Sequence, residues 1–457
     1  ARAQPAIALK DVGDSTDPKA RPRARIAIGL LAAGTASAFL PAVGELPLFG
    51  YLSIALLLAG GIAAMPLLAR LLLTPLQRFG QLSASADLAL KRLWGAPSQA
   101  AIALGGIVAS TSLMIAMAVM VWSFRGSVDE WLVQVLPADI YLRLEGDSSL
   151  DAGVQKSLLT APGVASINFR KMIPLRLSAE RPAVILVAQA IDSENPAKTL
   201  PIIGATFAPP SGSTAVWVSE PAMRLYGYQA GETIDLPITG RESDKPPKFF
   251  IAGIWRDYGR QQGAITMDTA DYTALTGDET RTDGSVELAQ GANTGQVIEG
   301  LQAALPQPLA ERIEFALPGE LRALSLQIFD RSFAVTYLLE AIAILVGLAG
   351  VAATFSAQTL ARTKEFGMLR HLGVTRRQII AMLLMEGALL GAVGVIAGIG
   401  LGLAMSQVLI HVVNPQSFNW TMETRLPFVL FATVTVALIG AAAATALLAG
   451  RRALSLD

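Results

Sequence analysis

Gln358–Glu386 reads QTLARTKEFGMLRHLGVTRRQIIAMLLME, a basic stretch set between two apolar runs that are each long enough to cross a bilayer. Arg362, Lys364, Arg370, Arg376 and Arg377 crowd into a loop too short to be carried across against the positive-inside bias, so the loop is expected on the cytoplasmic side. Thr363 can cap a short helix that places Phe366 and Leu369 on one face. Gly373 can end that helix, and Thr375 can start the next, which runs on into the following span.

RTKEFGMLRHLGVTRRQ followed by LLMEGALLGAVGVIAGIGLG resembles the signature of the FtsX/MacB-type (type VII) ABC transporter permeases. In that family the first part is a coupling helix that docks in a groove of a cytoplasmic ATPase. The resemblance implies a coupling helix within 358–378, with Arg362, Lys364, Glu365, Phe366, Gly367, Leu369, Arg370, Gly373, Arg376 and Arg377 as the ATPase-coupling positions. Glu386 and Gly391 extend the match. A basic loop that only sets topology accounts for the charges but not for their spacing.

The composition agrees with a membrane chain carrying a polar insert. Of 457 residues, 52% are hydrophobic and 16% charged, against about 25% charged in ordinary soluble domains. The formal net charge is zero, with the bases gathered in short loops and the acids mostly between Ser127 and Glu320. No basic face stands clear of a membrane flank, so a nucleic-acid partner is not expected. The absence of cysteine removes disulfides and cysteine metal sites. The start, ARAQPAIALKDVGDS, has neither an initiator methionine nor a signal-peptide pattern and reads like the middle of something longer.

In chain order, 1–25 is a polar, cytoplasmic N-terminal segment. Residues 26–72 form a transmembrane hairpin, with spans 26–43 and 48–72 about the turn GELP. Residues 73–98 suit a cytoplasmic interfacial helix, and 99–123 a third span. From 124 to 332 the pattern becomes that of an inserted α+β domain with stalk helices. Strands are expected in ADIYLRLEG, INFRKMIPLRL, AVILVAQAI, STAVWVS, ETIDLPI, KFFIAGIW and AITMD, and helices in LDAGVQKSLL, EPAMRLYG and VIEGLQAAL. Three spans after a cytoplasmic start place this domain outside. Residues 333–457 hold three more spans, at 333–358, 379–413 and 426–449, so both termini are cytoplasmic in a multi-pass inner-membrane protein. The cluster Arg256, Asp257, Tyr258 and Arg260 reads as a solvated strand end.

Two carboxylates, Glu340 and Glu386, fall inside apolar spans, where each needs a partner, a proton or water. Pairing of Glu386 with Arg376 or Arg377 is the simplest expectation. Gly387, Gly391, Gly394, Gly398 and Gly402 recur at three and four, a small-residue surface suited to close helix packing, within the chain or in a dimer.

The chain has no GxxxxGK[ST], HExxH or GxSxG motif, and its two histidines fall on opposite sides of the membrane. No enzymatic activity, metal or bound cofactor is expected. Overall, the layout resembles the last six helices of the ten-helix YbbP-like permeases, with six transmembrane helices and an extracytoplasmic α+β domain of MacB-like periplasmic type. The resemblance implies two copies of a cytoplasmic ABC ATPase, which carry the ATP and magnesium. It also implies a second FtsX unit, upstream or on another chain, and a lipid or other hydrophobic substrate, with a periplasmic protein or hydrolase as a further partner. The mechanism implied is mechanotransmission. Two other readings stay open: an ATPase-driven signalling protein that regulates a periplasmic enzyme, and a secondary transporter driven through Glu340 and Glu386.

Overall fold

The computed structural model describes residues 20–44, 46–74, 97–146, 148–238, 247–361 and 363–455. Apart from its ends, the interfacial helix expected over 73–98 lies outside them. The chain divides into two units. A helical unit runs up to Phe124 and takes in Phe333–Ser417 and the chain from Met422 onward; a sheet unit comprises Arg125–Ser332 with Phe418–Thr421.

The elements begin with helices α1 (Ala20–Ser37), α2 (Leu48–Ala63), α3 (Met65–Leu73) and α4 (Pro97–Val135). Then follow β1 (Ile140–Leu144), α5 (Ala152–Leu159), β2 (Val164–Leu175), β3 (Val184–Gln189), β4 (Ile202–Ile203) and β5 (Thr214–Ser219). After α6 (Glu220–Tyr226) come β6 (Thr233–Ile234), β7 (Phe249–Trp255), β8 (Ala264–Asp268), α7 (Thr269–Thr276) and β9 (Asp283–Leu288). The sheet unit continues with α8 (Thr294–Ala303), α9 (Gln307–Ala310) and β10 (Ile313–Ala316). The remaining helices are α10 (Pro318–Ala361), α11 (Thr363–His371), α12 (Arg376–Val408), α13 (Asn414–Phe418) and α14 (Phe428–Ser455).

Among the described residues four stretches are long and apolar enough to cross a membrane: Leu104–Val135, Pro318–Gly350, Arg376–Phe418 and Phe428–Leu448. The hairpin helices are shorter, Ala24–Ser37 and Leu48–Ala63, so the expected count of six is not reached by length. The second hairpin helix stops at Ala63 instead of running to Leu72. Pro66, in the first turn of α3, has no N–H to offer the Ile62 carbonyl and so interrupts the ladder there. The hairpin is nonetheless tightly joined. A Cβ on Gly34 would lie 3.0 Å from the Leu57 nitrogen, and Ser53 Oγ donates to the Gly34 carbonyl at 2.7 Å.

Among the described residues the sheet unit holds ten strands in the order β10-β1-β9-β2-β3-β8-β5-β7-β4, with β6 paired to β7. The long strand β2 is shared: residues 164–170 pair with β9 and residues 171–175 with β3. Pairing is antiparallel except for β3 with β8 and β5 with β7. Alternation along the strands sorts the side chains into layers. Ile140, Leu142, Ile167 and Val286 pack with Leu158 and Leu301 from α5 and α8, and Leu186, Val218, Ile251 and Ile265 pack with Ala222 and Tyr272 from α6 and α7. Local signals set the helix ends here. Asp151 and Ser219 accept from N–H groups in the first turns of α5 and α6, and Gly227 closes α6 at φ +73. ETIDLPI contributes only the two residues of β6, whereas β9, β10 and α7 form where no element was expected.

Candidate coupling surface

α11 and α12 meet in a corner fixed by three residues. Gly373 has φ +90, a conformation that residues with a Cβ rarely adopt. Its N–H donates to the Arg370 carbonyl at 3.0 Å, and the next N–H, of Val374, donates to the Leu369 carbonyl at 3.1 Å. These are the paired bonds of a Schellman ending. Thr375 then opens α12 with a capping box: its N–H donates to Gln378 Oε1 at 2.8 Å, and its Oγ1 accepts from the Gln378 N–H at 3.4 Å. Thr363 is the first residue of α11, and Arg362, before it, lies outside the described residues.

The apolar face of α11 turns inward. Phe366 is 1% exposed and packs with Ile379, Met382 and Leu383 of α12, flanked by Leu369 and Val374. The exposed apolar side chains are Met368 and Leu372, 62% and 77% accessible, one turn apart on another face. Glu365, Arg370, Arg376 and Arg377 are exposed, and Gly367 is half-buried. Lys364 lies in α11, but its side chain is outside the described residues. Spacing had singled out Phe366 and Leu369. Met368 and Leu372 form a second i, i+4 couple, and nothing in the local sequence distinguishes its exposed face from the buried one.

Glu386 is buried on α12 and has an interaction partner. Pairing with Arg376 or Arg377 is not available along the helix, because nine or ten residues of rise separate them by about 14–15 Å. Glu340 lies within α10, and its side chain is outside the described residues. Five of the glycines of α12, Gly387, Gly391, Gly394, Gly398 and Gly402, divide between two neighbours inside the helical unit. A Cβ on Gly387 would come within 2.9 Å of the Ala442 carbonyl oxygen, and one on Gly391 within 3.2 Å of Ala442 Cβ, both on α14. Added at Gly394, Gly398 or Gly402, it would meet Ile107, Thr111 or Ile115 of α4 at 2.6–2.7 Å.

In the sheet unit, Asp257 and Tyr258 of the cluster after β7 are buried and Arg256 and Arg260 half-buried, which corrects its reading as a solvated strand end. Asp257 is fully buried and accepts from Arg260 Nη1 and from the Gly259 N–H, each at 2.9 Å. Trp131 Nε1 donates to the Arg256 carbonyl at 3.0 Å. Tyr258, 2% exposed, stands edge-on to both Trp131 and Trp420. The cover is Phe418–Thr421, remote in sequence, so the local pattern around Asp257 carried no sign of it.

Among the described residues no group of three or more histidine, aspartate and glutamate side chains is placed to hold a metal.

Residues 337–457 match the FtsX-like permease C-terminal family model. A Mycobacterium tuberculosis protein named as an uncharacterised ABC transporter permease is 28% identical over 360 residues, covering 76% of this chain and 41% of that protein. A permease of the same description from Methanocaldococcus jannaschii is 28% identical over 169 residues, covering 36% of this chain and 42% of the relative. The chain thus spans about two fifths of the length of each. Among solved structures, the extracellular domain of the noncanonic ABC-type transporter YknZ from Gram-positive bacteria aligns at 13% identity and a TM-score of 0.29, covering 39% of this chain and 99% of that one. Residues 337–457, which hold the corner at Gly373 and the long apolar helices on either side of it, are thus similar to an FtsX-like permease C-terminal domain, in a chain similar to proteins named ABC transporter permeases.

Proposed function

We propose that this chain is the membrane subunit that couples ATP hydrolysis by a partner ABC ATPase to a change of shape in the sheet unit. The observation that carries the reading is α11 itself. It is a short helix between two membrane-length helices, anchored through Phe366 and capped sharply at Gly373 and Thr375, with Met368 on it and Leu372 just past its end exposed among charges. Such a helix suits insertion into a groove, with two apolar anchors at i and i+4 and a charged surround. Ten residues along α12 lies Glu386, and α10 and α12 are each continuous over more than thirty residues, so displacement of the corner has rigid rods to follow.

On this reading the corner is cytoplasmic, as are both termini, the sheet unit is periplasmic, and the membrane is the bacterial inner membrane. ATP and magnesium belong to the partner ATPase, present as two copies. α10 exposes Val335, Leu338, Leu345 and Val346, a surface for lipid or for a second FtsX unit. The load is a hydrophobic or lipid-linked molecule drawn from the outer leaflet, an assignment by family analogy.

The test uses the cysteine-free chain. Leu372→Cys and Leu369→Cys are each combined with an ABC ATPase carrying a cysteine in its docking groove, with and without ATP. Leu372→Cys should give a nucleotide-sensitive adduct, and the half-buried Leu369→Cys a weaker one. No adduct at either position, with both proteins folded and the ATPase present, removes the coupling reading.

A further inference from the structure

The sheet unit contains a cavity of about 360 Å³, within the range of about 300–1,000 Å³ common to small-molecule sites. Its floor is the sheet face opposite the α5/α8 and α6/α7 cores, and its sides include the C-terminal end of α4 and the first three turns of α10. The lining has two characters. Trp131, Leu132, Trp255 and Phe329 make an apolar wall, whereas Arg143, Arg170 and Arg260 bring three guanidinium groups to the sheet floor.

The lining also carries the carboxylates of Asp283 and Glu314, and the charges are matched unevenly. Arg143 is paired with Asp283 at 2.8 Å, and Asp283 also accepts from Thr282 Oγ1 at 2.7 Å. Arg260 is paired with the buried Asp257. Arg170 lies between these pairs without an ion pair of its own among the described residues, and its buried Nε has no hydrogen-bond partner. Burial pulls its pKa below the usual arginine range, partly offset by the nearby Asp283. Thr266, fully buried on β8 and lining the same cavity, has a hydroxyl that is likewise without a partner among the described residues. A buried guanidinium nitrogen and a buried hydroxyl left unmatched are each unfavourable, and an acceptor entering the cavity relieves such a group.

We infer that this cavity binds a single-chain anionic amphiphile, its carboxylate or phosphate head on Arg170 and Thr266 and its chain along Trp131, Trp255 and Phe329. A guanidinium is suited to a two-oxygen head, and the aromatic wall to an alkyl chain. The inference adds a ligand for the sheet unit and does not rest on coupling to an ATPase, so it is tested without ATPase or nucleotide.

The full chain in lipid nanodiscs is photolabelled with a diazirine-bearing dodecanoate, and the labelled peptides are mapped by mass spectrometry. Label is expected on peptides containing Trp131, Trp255 or Phe329, displaced by excess dodecanoate or dodecyl phosphate and not by dodecylamine. The stronger of the two anionic competitors identifies the head group. Arg170→Gln should cut cavity labelling by about tenfold, and Arg170→Lys should retain most of it. The competition in the unmodified chain needs no variant, so poor folding of Arg170→Gln does not blunt the test. Equal displacement by dodecylamine, label confined to the apolar helices, or full cavity labelling of a folded Arg170→Gln protein overturns the inference.

Discussion

Tyr258 Oη donates a 2.8 Å hydrogen bond to the carbonyl oxygen of Thr421, across 163 positions of sequence. The contact belongs to a continuous set. Thr421 Oγ1 donates to Glu220 Oε2 at 3.1 Å, Phe418 stacks on Trp420, and Trp420 meets Tyr258 edge-on. Asn419 lies between them at φ +61, a conformation that asparagine tolerates better than most residues. Phe418–Thr421 is in this way held as part of the sheet unit.

Tyr258→Phe should therefore loosen that segment without emptying its packing. The expected loss is about 0.5–1.5 kcal/mol locally. Hydrogen exchange should speed up at the amides of 418–421 and stay unchanged in β3 and β8. Unchanged exchange at 418–421 would show that the ring stack alone holds the segment.

Phe366 and Leu372 should separate anchoring from docking. Phe366→Ala opens a cavity against Ile379, Met382 and Leu383 and is expected to cost about 3–5 kcal/mol, seen as faster proteolysis within 363–373. Leu372→Asp changes an exposed position, so stability should move by no more than about 0.5 kcal/mol while association with the proposed partner ATPase falls. A drop in stability as large as that of Phe366→Ala would show that Leu372 is a packing residue.

The glycines of α12 allow a paired comparison. Gly402→Ala sets a Cβ 2.7 Å from the Ser112 carbonyl oxygen and from Ile115 Cβ, whereas Gly400→Ala meets nothing within 4 Å. Gly402→Ala should destabilise by about 1–3 kcal/mol. Gly400→Ala should be neutral or slightly stabilising, since alanine is the better helix former. Equal unfolding midpoints in a detergent titration would contradict the close approach of α4 and α12.

Asp278 and Tyr272 set opposite pH limits on the sheet unit. Burial by itself would raise the pKa of Asp278, but bonds from the side chain and N–H of Thr280, from Tyr272 and from Lys171 outweigh it and bring the pKa down to about 2. Because the folded value is depressed, the carboxylate's contribution is present above about pH 4 and fades as pH falls toward 2. Burial and the bond to Asp278 push Tyr272 up to about 12, so its contribution holds below pH 10 and fades between 10 and about 12. Asp278→Asn should flatten the acid limb of a urea-unfolding profile. An unchanged acid slope would assign that limb to other carboxylates.

Much of the corner was legible in the sequence because its signals are local. A glycine that must adopt positive φ and a threonine three residues before a glutamine specify their own neighbourhoods. The face of Phe366 and Leu369 was also legible, but not what it faces, since nothing within α11 says whether an apolar stripe meets its own chain or a partner. The burial of Asp257 and Tyr258 depends on residues 160 positions away. β9 begins DGSVEL, whose Asp and Gly disguise a strand, and it forms because β1 and β2 flank it on either side. Over 48–72 the helix is interrupted for a local reason: Pro66 breaks a ladder that hydropathy alone would carry on to Leu72.

The glycines of α12 also bear on how that helix can move. With side-chain bulk missing on one side opposite α14 and on another opposite α4, it is seated like a flat-sided bar between two jaws. Rolling it about its own axis would bring Leu and Ile ridges into spaces that only glycine fits, whereas sliding it lengthwise keeps the flats aligned. Axial displacement of α12 is thus easier than rotation about its own axis.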